Sequence, residues 1–441
     1  NNKFIQPKEN GRFLPNFDPK QIDQNYTEGN GWHYGFYVPQ DIQGLTNLLG
    51  GDKYLIKHLD ECFNSKEKTT GRNQADVTGL IGQYAQGNEP SHHTIYLYAY
   101  AGEAWKTQEL SRRILNTLFT DKPDGICGND DCGQMSAWYI MSSLVFYPVC
   151  PGSNEYVIGS PLFSKATINL ENGKTFVINS PQGTVAPYVQ SLKLNGKKYE
   201  KTFIVHNNIM EGGVLDFEMG EKPNKSFGKN KSNRPHSEIN DNLITIVPYY
   251  EYEGTNTFID KKEVKIKTIN NKDNIRPIRN YISRIAKDNE TRIVSLTSPW
   301  GKGKTSIIAN ETMEITAIAK DNNSNFSKSI SGTFYQIPKG RKVELFSKYD
   351  PQYTAGGAQG LIDLIRGSDK WRLGSWQGYN GCNFVAVVDL GNKQEIKRIG
   401  GNFIQETSPW IFMQSKVNYY ISEDGKNFTL FETVVNPKKK K

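Results

Sequence analysis

The chain contains no run of about 18 or more consecutive apolar residues, the length a helix needs to cross hydrocarbon, so nothing in it reads as a membrane span. Cysteine is scarce. Cys62, Cys127, Cys132, Cys150 and Cys382 are too few and too unevenly spread to frame a disulfide scaffold, and they leave the redox compartment open. Neither an initiator methionine nor a signal-like leader stands at Asn1, from which the expectation is that the N-terminal part has been removed or lies on another piece. A basic stripe interleaved with aromatics is also missing. The net charge of +8 comes from lysines scattered between 164 and 342 and from Lys438–Lys441, which reads as a solvated basic face and argues against nucleic acid. There is no internal repeat.

What is there is length and aromatic content. At 441 residues the chain has room for about two to four folded cores. Aromatics make up 12% of it, including 23 Tyr and 7 Trp, against 23% charged residues, a balance that suits a folded protein with surfaces friendly to sugars. From Asp41, a good N-cap, apolar residues recur three or four apart through Leu45, Leu48, Leu49, Leu55, Leu59 and Cys62, predicting helix. Further helices are predicted from Ser91 to about Gly102, Lys106 to Phe119 and Gln134 to Phe146. After Pro148-Val149-Cys150-Pro151-Gly152 the texture becomes that of alternating strands, with hairpin turns at Glu171-Asn172-Gly173 and Asn195-Gly196. A polar stretch from Glu221 to Asn242 reads as a linker. Short strands from about 243 to 337 fit a small sandwich, and a second all-β unit from about 338 is marked by Trp371, Trp376 and Trp410. Gly303-Lys304-Thr305 ends like a phosphate-binding loop, but Ser298 stands where the first glycine belongs and no helix follows.

Three loops hold the candidate chemistry: Tyr26-Thr27-Glu28-Gly29-Asn30, Gln86-Gly87-Asn88-Glu89-Pro90-Ser91-His92-His93, and Gly128-Asn129-Asp130-Asp131-Cys132. Each sets a carboxylate beside glycine and an amide at the mouth of a helix. Singly they are turns and caps, and Asp130 and Asp131 suit the first turn of the helix near Gln134. Together they suggest a polar cleft, with Trp32 and Tyr34 as flat apolar faces and His33, His92 and His93 as hydroxyl partners. A zinc site would need ligands beyond Cys127 and Cys132, and adjacent histidines on a helix point about 100° apart. A Cys127–Cys132 disulfide is sterically possible.

The stretches Gly-Asn-Glu-Pro-Ser-His-His at 87–93, Gly102-Glu103-Ala104-Trp105-Lys106-Thr107-Gln108, and Gly-Asn-Asp-Asp-Cys-Gly-Gln-Met-Ser-Ala-Trp-Tyr at 128–139 closely resemble the exo-acting α-mannosidases of glycoside hydrolase family 92. The likeness runs from about Asn25 to Asn230. It implies an (α/α)6 barrel with an N-terminal β-sandwich, calcium dependence, and hydrolysis of terminal α-mannose with inversion. Carried over residue by residue, it makes Glu28 the general acid, Asp131 the general base with Asp130 beside it, and Asn88 and Glu89 the calcium ligands; the reading of the loops themselves adds Trp32, His33, His92 and His93 as substrate contacts. Inversion implies carboxyl groups about 6.5–9.5 Å apart. Family members commonly have Gln where His33 stands and His where Gln40 stands, so either the aglycone contacts or the surroundings of the acid are expected to differ. Residues from about 243 to 337 resemble the fibronectin-like module of some bacterial hexosaminidases. Those from about 338, with Gly374-Ser375-Trp376-Gln377-Gly378 and Ser422-Glu423-Asp424-Gly425, resemble discoidin-like carbohydrate-binding modules, in which Trp376 and Trp410 either touch sugar or belong to the core.

The resulting expectation is a multidomain chain with both helices and sheets. Residues 1–152 supply the C-terminal part of the barrel, 153–242 its β-rich continuation and linker, 243–337 a fibronectin-like sandwich and 338–441 a discoidin-like sandwich. Its partners would be mannose-containing glycans and an absent N-terminal half that completes the twelve-helix barrel, and its location secreted, periplasmic or at a bacterial surface. The rival from another class is a glycan-binding protein that holds sugar in the same loops without cleaving it.

Overall fold

In the computed structural model the periodicity that starts at Asp41 becomes two helices, Ile42–Leu49 and Asp52–Phe63. Asp41 caps the first, its carboxylate accepting the Gly44 N–H at 2.8 Å, and Gly50 ends it at φ 109°, a left-handed conformation that costs glycine little. The structure describes residues 4, 6–9, 11–13, 17–239, 248–267, 276–285, 291–296, 305–320, 327–350, 353–371 and 374–436. The Gly303-Lys304 stretch and the terminal lysines lie outside them. The chain divides into two units, residues 1–6 with 16–241 and residues 7–15 with 242–441.

In the first unit the helices predicted over 106–119 and 134–146 form as Ala104–Thr117 and Gln134–Leu144. The one predicted over 91–102 does not. Two 3-10 turns, Glu89–Ser91 and Thr94–Tyr96, lead into a single α-turn, Leu97–Tyr100. Every side chain from Ser91 to Ala99 is buried, so packing on all sides sets this backbone, and its run of Thr, Ile and Tyr has little helical preference to oppose it. The described helices do not close a barrel, and none is long and apolar enough to cross a membrane.

The β-region continues the same core. A five-stranded sheet runs in the order Lys197–Lys198, Tyr188–Leu194, Gly213–Gly220, Thr175–Asn179, Lys165–Asn169, and a three-stranded sheet in the order Phe203–Val205, Glu155–Ile158, Phe146–Tyr147. Both predicted hairpin turns form; at Asn195-Gly196 both residues take positive φ, 51° and 76°, as a two-residue turn of matching twist requires. Trp138, Tyr96 and Ile114 from the helical half join Phe176, Val189, Leu215 and Phe217 from the sheet in one cluster. A boundary near 152 is therefore a change of secondary structure within one core.

Two polar side chains of helix Ala104–Thr117 fasten it to the sheet. The Gln108 side-chain oxygen accepts the Val189 N–H at 3.0 Å. Arg112, only 7% exposed, donates to Ser160 Oγ at 3.1 Å and to the carbonyls of Pro161 and Gly183. None of these partners is a carboxylate; burial lowers the Arg112 pKa, and hydroxyl and carbonyl dipoles hold its charge. The stretch expected to be a linker is docked as far as Ile239. Arg234 pairs with Asp52 at 2.7 Å and donates to the Lys229 carbonyl, while the Ser237 carbonyl accepts the Gln43 N–H at 3.0 Å. Its polar residues are there to satisfy backbone and charge.

In the second unit, a three-stranded sheet (Tyr249–Glu251, Lys262–Lys267, Thr305–Ala309) and a five-stranded sheet, which includes Met313–Lys320 and Ile330–Gln336, share a core of Tyr250, Val264, Ile266, Ile315 and Phe334. The hairpin Lys8–Glu9/Arg12–Phe13, assigned from sequence to the first domain, belongs to this unit, its Gly11 carbonyl accepting the Tyr250 N–H at 3.0 Å. Beyond 338 the described residues form two separate pairs, Lys342–Leu345 with Ala386–Asp389 and Lys416–Ile421 with Thr429–Val435. Ile362 is the one buried large apolar side chain described there.

Arg112→Met keeps the side-chain stem but strands three acceptors, and is expected to lower stability by about 2–4 kcal/mol, from the usual cost of losing buried charged hydrogen bonds. Urea unfolding followed by Trp fluorescence measures it, and a change below about 1 kcal/mol would show that water replaces the guanidinium at no cost.

Candidate active site

The Glu28 loop leads into the short helix Gly31–Gly35, which Asn30 caps. Its side-chain oxygen accepts the N–H groups of Trp32 at 3.0 Å and His33 at 3.2 Å, and its own N–H donates to His33 Nδ1 at 3.3 Å. This is a capping box with histidine in the place usually held by Glu or Gln. The cap leaves Glu28 outside, exposed, on left-handed backbone at φ 54°. Trp32 turns inward, stacking on His58 with ring centroids 5.0 Å apart.

In the second loop Asn88 ties the first in place. Its amide nitrogen donates to the Glu28 carbonyl at 2.7 Å, and its side-chain oxygen accepts the Glu89 N–H at 3.0 Å. His92 and His93 diverge, as adjacent residues must. His92 Nε2 bonds the Gln86 carbonyl at 2.9 Å, with its Nδ1 facing the Gln134 amide at 3.3 Å, and His93 Nε2 bonds the Phe36 carbonyl at 2.8 Å. Burial pushes the pKa of His33, His92 and His93 down to about 4, so all three are neutral near neutral pH.

The third loop separates its paired carboxylates. Asp130 supports the first helical turn from before its Gly133 N-cap: one carboxylate oxygen accepts the Ser136 N–H at 2.9 Å and the Ser136 hydroxyl at 2.8 Å. Asp131 takes no part in this with its carboxylate. It is exposed, sits at φ 45°, and its carboxyl meets that of Glu89. Non-glycine residues at positive φ are uncommon, and such backbone tends to cluster at functional sites.

Backbone packing brings the second and third loops together. A Cβ on Gly128 would lie 2.9 Å from the Gly87 carbonyl oxygen, and one on Gly87 would lie 2.8 Å from the Cys127 carbonyl oxygen. Thr78 Oγ1 donates to that same Cys127 carbonyl. Thr78 and these two glycines are the positioning groups that sequence reasoning missed. The signal for them was present in the repeated order of glycine, amide and acid at Gly87-Asn88-Glu89 and Gly128-Asn129-Asp130.

Glu89 registers the crowding. Its pKa is raised, first by desolvation, then by its hydrogen bond and charge repulsion with Asp131 and by the charge of Glu28, while among the described residues no cationic side chain bears on it. A neighbouring carboxyl makes the ionised form of Glu89 costly. A hard cation fits such a place: the Asn88 side-chain oxygen and the Glu89 carboxylate are oxygen donors of the kind calcium takes. Two residues cannot fill its shell, and among the described residues no three His, Cys, Asp or Glu side chains converge as ligands, on Cys127 and Cys132 or elsewhere. Both of those cysteines are free thiols, so the disulfide considered from sequence is not formed.

Trp376 and Trp410 of the second unit differ. Trp376 is half-buried, its indole N–H donating to the Ser368 carbonyl at 2.8 Å, whereas Trp410 is 82% exposed. An open depression of about 480 Å³ on the five-stranded sheet, lined by Ser164, Lys165, Asn179 and Asp216, contains none of the carboxylates above.

Residues 1–221 match the glycosyl hydrolase family 92 catalytic domain. An uncharacterized secreted glycosidase of Arthroderma benhamiae is 30% identical over 218 residues, which cover 48% of this chain and 26% of that protein. Among solved structures, a family 92 α-mannosidase from Bacteroides thetaiotaomicron in complex with mannoimidazole aligns with a TM-score of 0.50 at 38% identity, covering 54% of this chain and 32% of that one. A family 92 inverting mannosidase from the same bacterium aligns with a TM-score of 0.46 at 36% identity, covering 52% and 32%. The chain thus spans a third or less of the length of these relatives.

Two opposing pH dependences follow. The three histidines are held below their ordinary value of 6.5, so the unfolded chain binds their protons more tightly, and stability is lost as pH falls from 6.5 toward about 4. Glu89 is held above its ordinary value of 4.5, so the fold binds its proton more tightly, and stability is lost as pH rises through that value toward the raised one. Glu89→Gln removes only the second effect. Its Tm should exceed that of the parent near pH 7 and match it near pH 4; a difference independent of pH would mean that Glu89 is not crowded by Asp131 and Glu28.

Proposed function

Because its first 221 residues match the family's catalytic domain, the chain belongs to glycoside hydrolase family 92, and we propose on that premise that it carries the acid and base of a calcium-dependent, exo-acting, inverting α-mannosidase. The observation that supports this most is the meeting of Glu89 and Asp131, carboxylates from two loops far apart in sequence, with the charge of Glu28 also felt at Glu89 and, among the described residues, no cationic side chain bearing on it. The likeness to the Bacteroides α-mannosidase supports mannose as the sugar, and the secreted relative supports an exported protein acting on glycans outside the cell or in the periplasm.

In this reading Asp131 takes a proton from an attacking water whose oxygen bonds to the anomeric carbon. Glu28 gives its proton to the departing glycosidic oxygen as the carbon–oxygen bond on the opposite face breaks, and the configuration inverts. Asp130, fixed by Ser136, braces the loop that carries Asp131. His33, His92 and His93, neutral and hydrogen-bonded, fix the loops around the sugar. Asn88 and Glu89 would hold calcium, which when bound supplies positive charge toward the sugar hydroxyls.

The site also calls for further walls. Glu28 and Asp131 are exposed, and Leu48, Tyr54 and Ile140 stand 59%, 56% and 54% exposed on the helices of the same unit. Additional helices of the catalytic domain would cover these side chains and exclude water from the carboxylates. The modules beyond 243 we read as accessory, with the exposed Trp410 as a sugar contact and Trp376 packed within its module.

Mannose release from α-linked disaccharides tests the assignment. Asp131→Asn and Glu28→Gln should each cut turnover by about 10²–10⁴-fold with folding intact, and a substrate with a good leaving group should rescue only Glu28→Gln. A chelator should abolish activity, with calcium and not zinc restoring it. Disaccharide binding without any release of mannose would favour the rival reading of a glycan-binding protein. If residues 1–441 alone proved to be a fully active monomer, the call for further helices would be wrong.

A further inference from the structure

Phe36, Tyr37 and Val38 form a tight turn directly after the helix Gly31–Gly35. Phe36 is 1% exposed, and its carbonyl accepts both the Val38 N–H and His93 Nε2 at 2.8 Å. Between these anchors the Tyr37 N–H donates to the Tyr34 carbonyl at 3.1 Å, so its backbone is fixed. Its ring nevertheless stands 50% exposed. His93 braces it edge-on with centroids 5.5 Å apart at 71°, and Tyr34 does the same at 6.3 Å and 73°. Its hydroxyl has no hydrogen-bond partner among the described residues. A ring held rigidly but left half in water adds little to the core, and its hydroxyl is free to bond something else.

The neighbours give this ring a position relative to the chemistry. Tyr34 stacks on Tyr26 with centroids 5.5 Å apart and donates its hydroxyl to the Thr27 carbonyl at 2.6 Å, beside Glu28. Burial first, then the charge of Glu28, then Tyr37 and Glu89 raise the Tyr34 pKa. Tyr147, pushed up to about 12 mainly by burial, also lies within the influence of Tyr37 and Glu89. Through Tyr34, whose hydroxyl bonds the carbonyl just before Glu28, the Tyr37 ring therefore adjoins the loop that carries Glu28.

We propose that Tyr37 is a specificity-determining residue, its ring the platform for the sugar on the leaving side of the scissile bond. This rests on the reading of Glu28 as proton donor, since a donor must sit within hydrogen-bond reach of the leaving oxygen and whatever lies beyond Glu28 faces the leaving group. A sugar ring offers an apolar C–H face and an edge of hydroxyls. The exposed face of Tyr37 suits the first and its unpaired hydroxyl the second.

Calorimetric titration of the full chain, with calcium present, tests this using two probes: methyl α-mannoside, which fills only the terminal-sugar position, and a non-hydrolysable sulfur-linked α-mannobiose, which also fills the leaving side. Tyr37→Ala should weaken the mannobiose by about 3–10-fold, the range that one aromatic contact supplies, and the methyl mannoside by much less. Tyr37→Phe, which keeps the ring, should recover most of the loss. Equal weakening of both probes, or none, would overturn the assignment, with unchanged Tm values excluding misfolding as the cause. If the parent chain binds neither probe, the mannosidase reading itself fails and this inference falls with it; if it binds both and only the contrast is missing, the inference alone is wrong.

Discussion

Gly87 and Gly128 press their backbones together so closely that neither can carry a side chain, and everything at the candidate site depends on that approach. It places two loops some forty residues apart in contact, lets Thr78 clasp the Cys127 carbonyl, and sets Asp131 against Glu89. The amide of Asn88 extends the arrangement to the Glu28 loop. Withdrawing Glu89 from water and setting it among negative groups both cost free energy, and its raised pKa is the visible part of that cost. Folding elsewhere must supply it, which is the usual relation between a strained polar site and a well-packed scaffold.

The scaffold supplies it through burial of a continuous core and through polar groups that are satisfied individually. Arg112 is buried without a counter-ion, yet carbonyls from the 160–184 connections surround it. Burial keeps His92 and His93 uncharged, and each still finds a backbone carbonyl as a hydrogen-bond partner. The same rule explains the docked stretch before residue 240, where Arg234, Asn233 and Ser237 bond helix termini and strand edges. A polar composition that would be loose in solution becomes fixed when each group has a partner.

Much of this could be read in order along the chain. Asp41 as a cap, the Asn195-Gly196 turn, the strands on either side of Gly173 and the helices starting near residues 104 and 134 are local features, decided by propensity and capping among residues a few positions apart. So are the three loops of glycine, amide and acid, whose ordered motifs carried the family likeness. Those preferences act before any tertiary contact and survive it.

What only the tertiary structure decided involves competition between partners distant in sequence. Asp130 and Asp131 are the same residue type at adjacent positions; Ser136 bonds the carboxylate of the first and Glu89 meets the second, and nothing local distinguishes them. The segment 91–102 looks helical by pattern but is buried on all sides, so side-chain packing overrides its weak propensity. The hairpin at residues 8–13 joins strands beyond 248 instead of its sequence neighbours, because a β-surface pairs with whatever complementary edge or face the fold presents. Tyr37 belongs to the same class. In the sequence it is one of 23 tyrosines, and only the turn anchored by Phe36 leaves its ring in water beside the carboxylates.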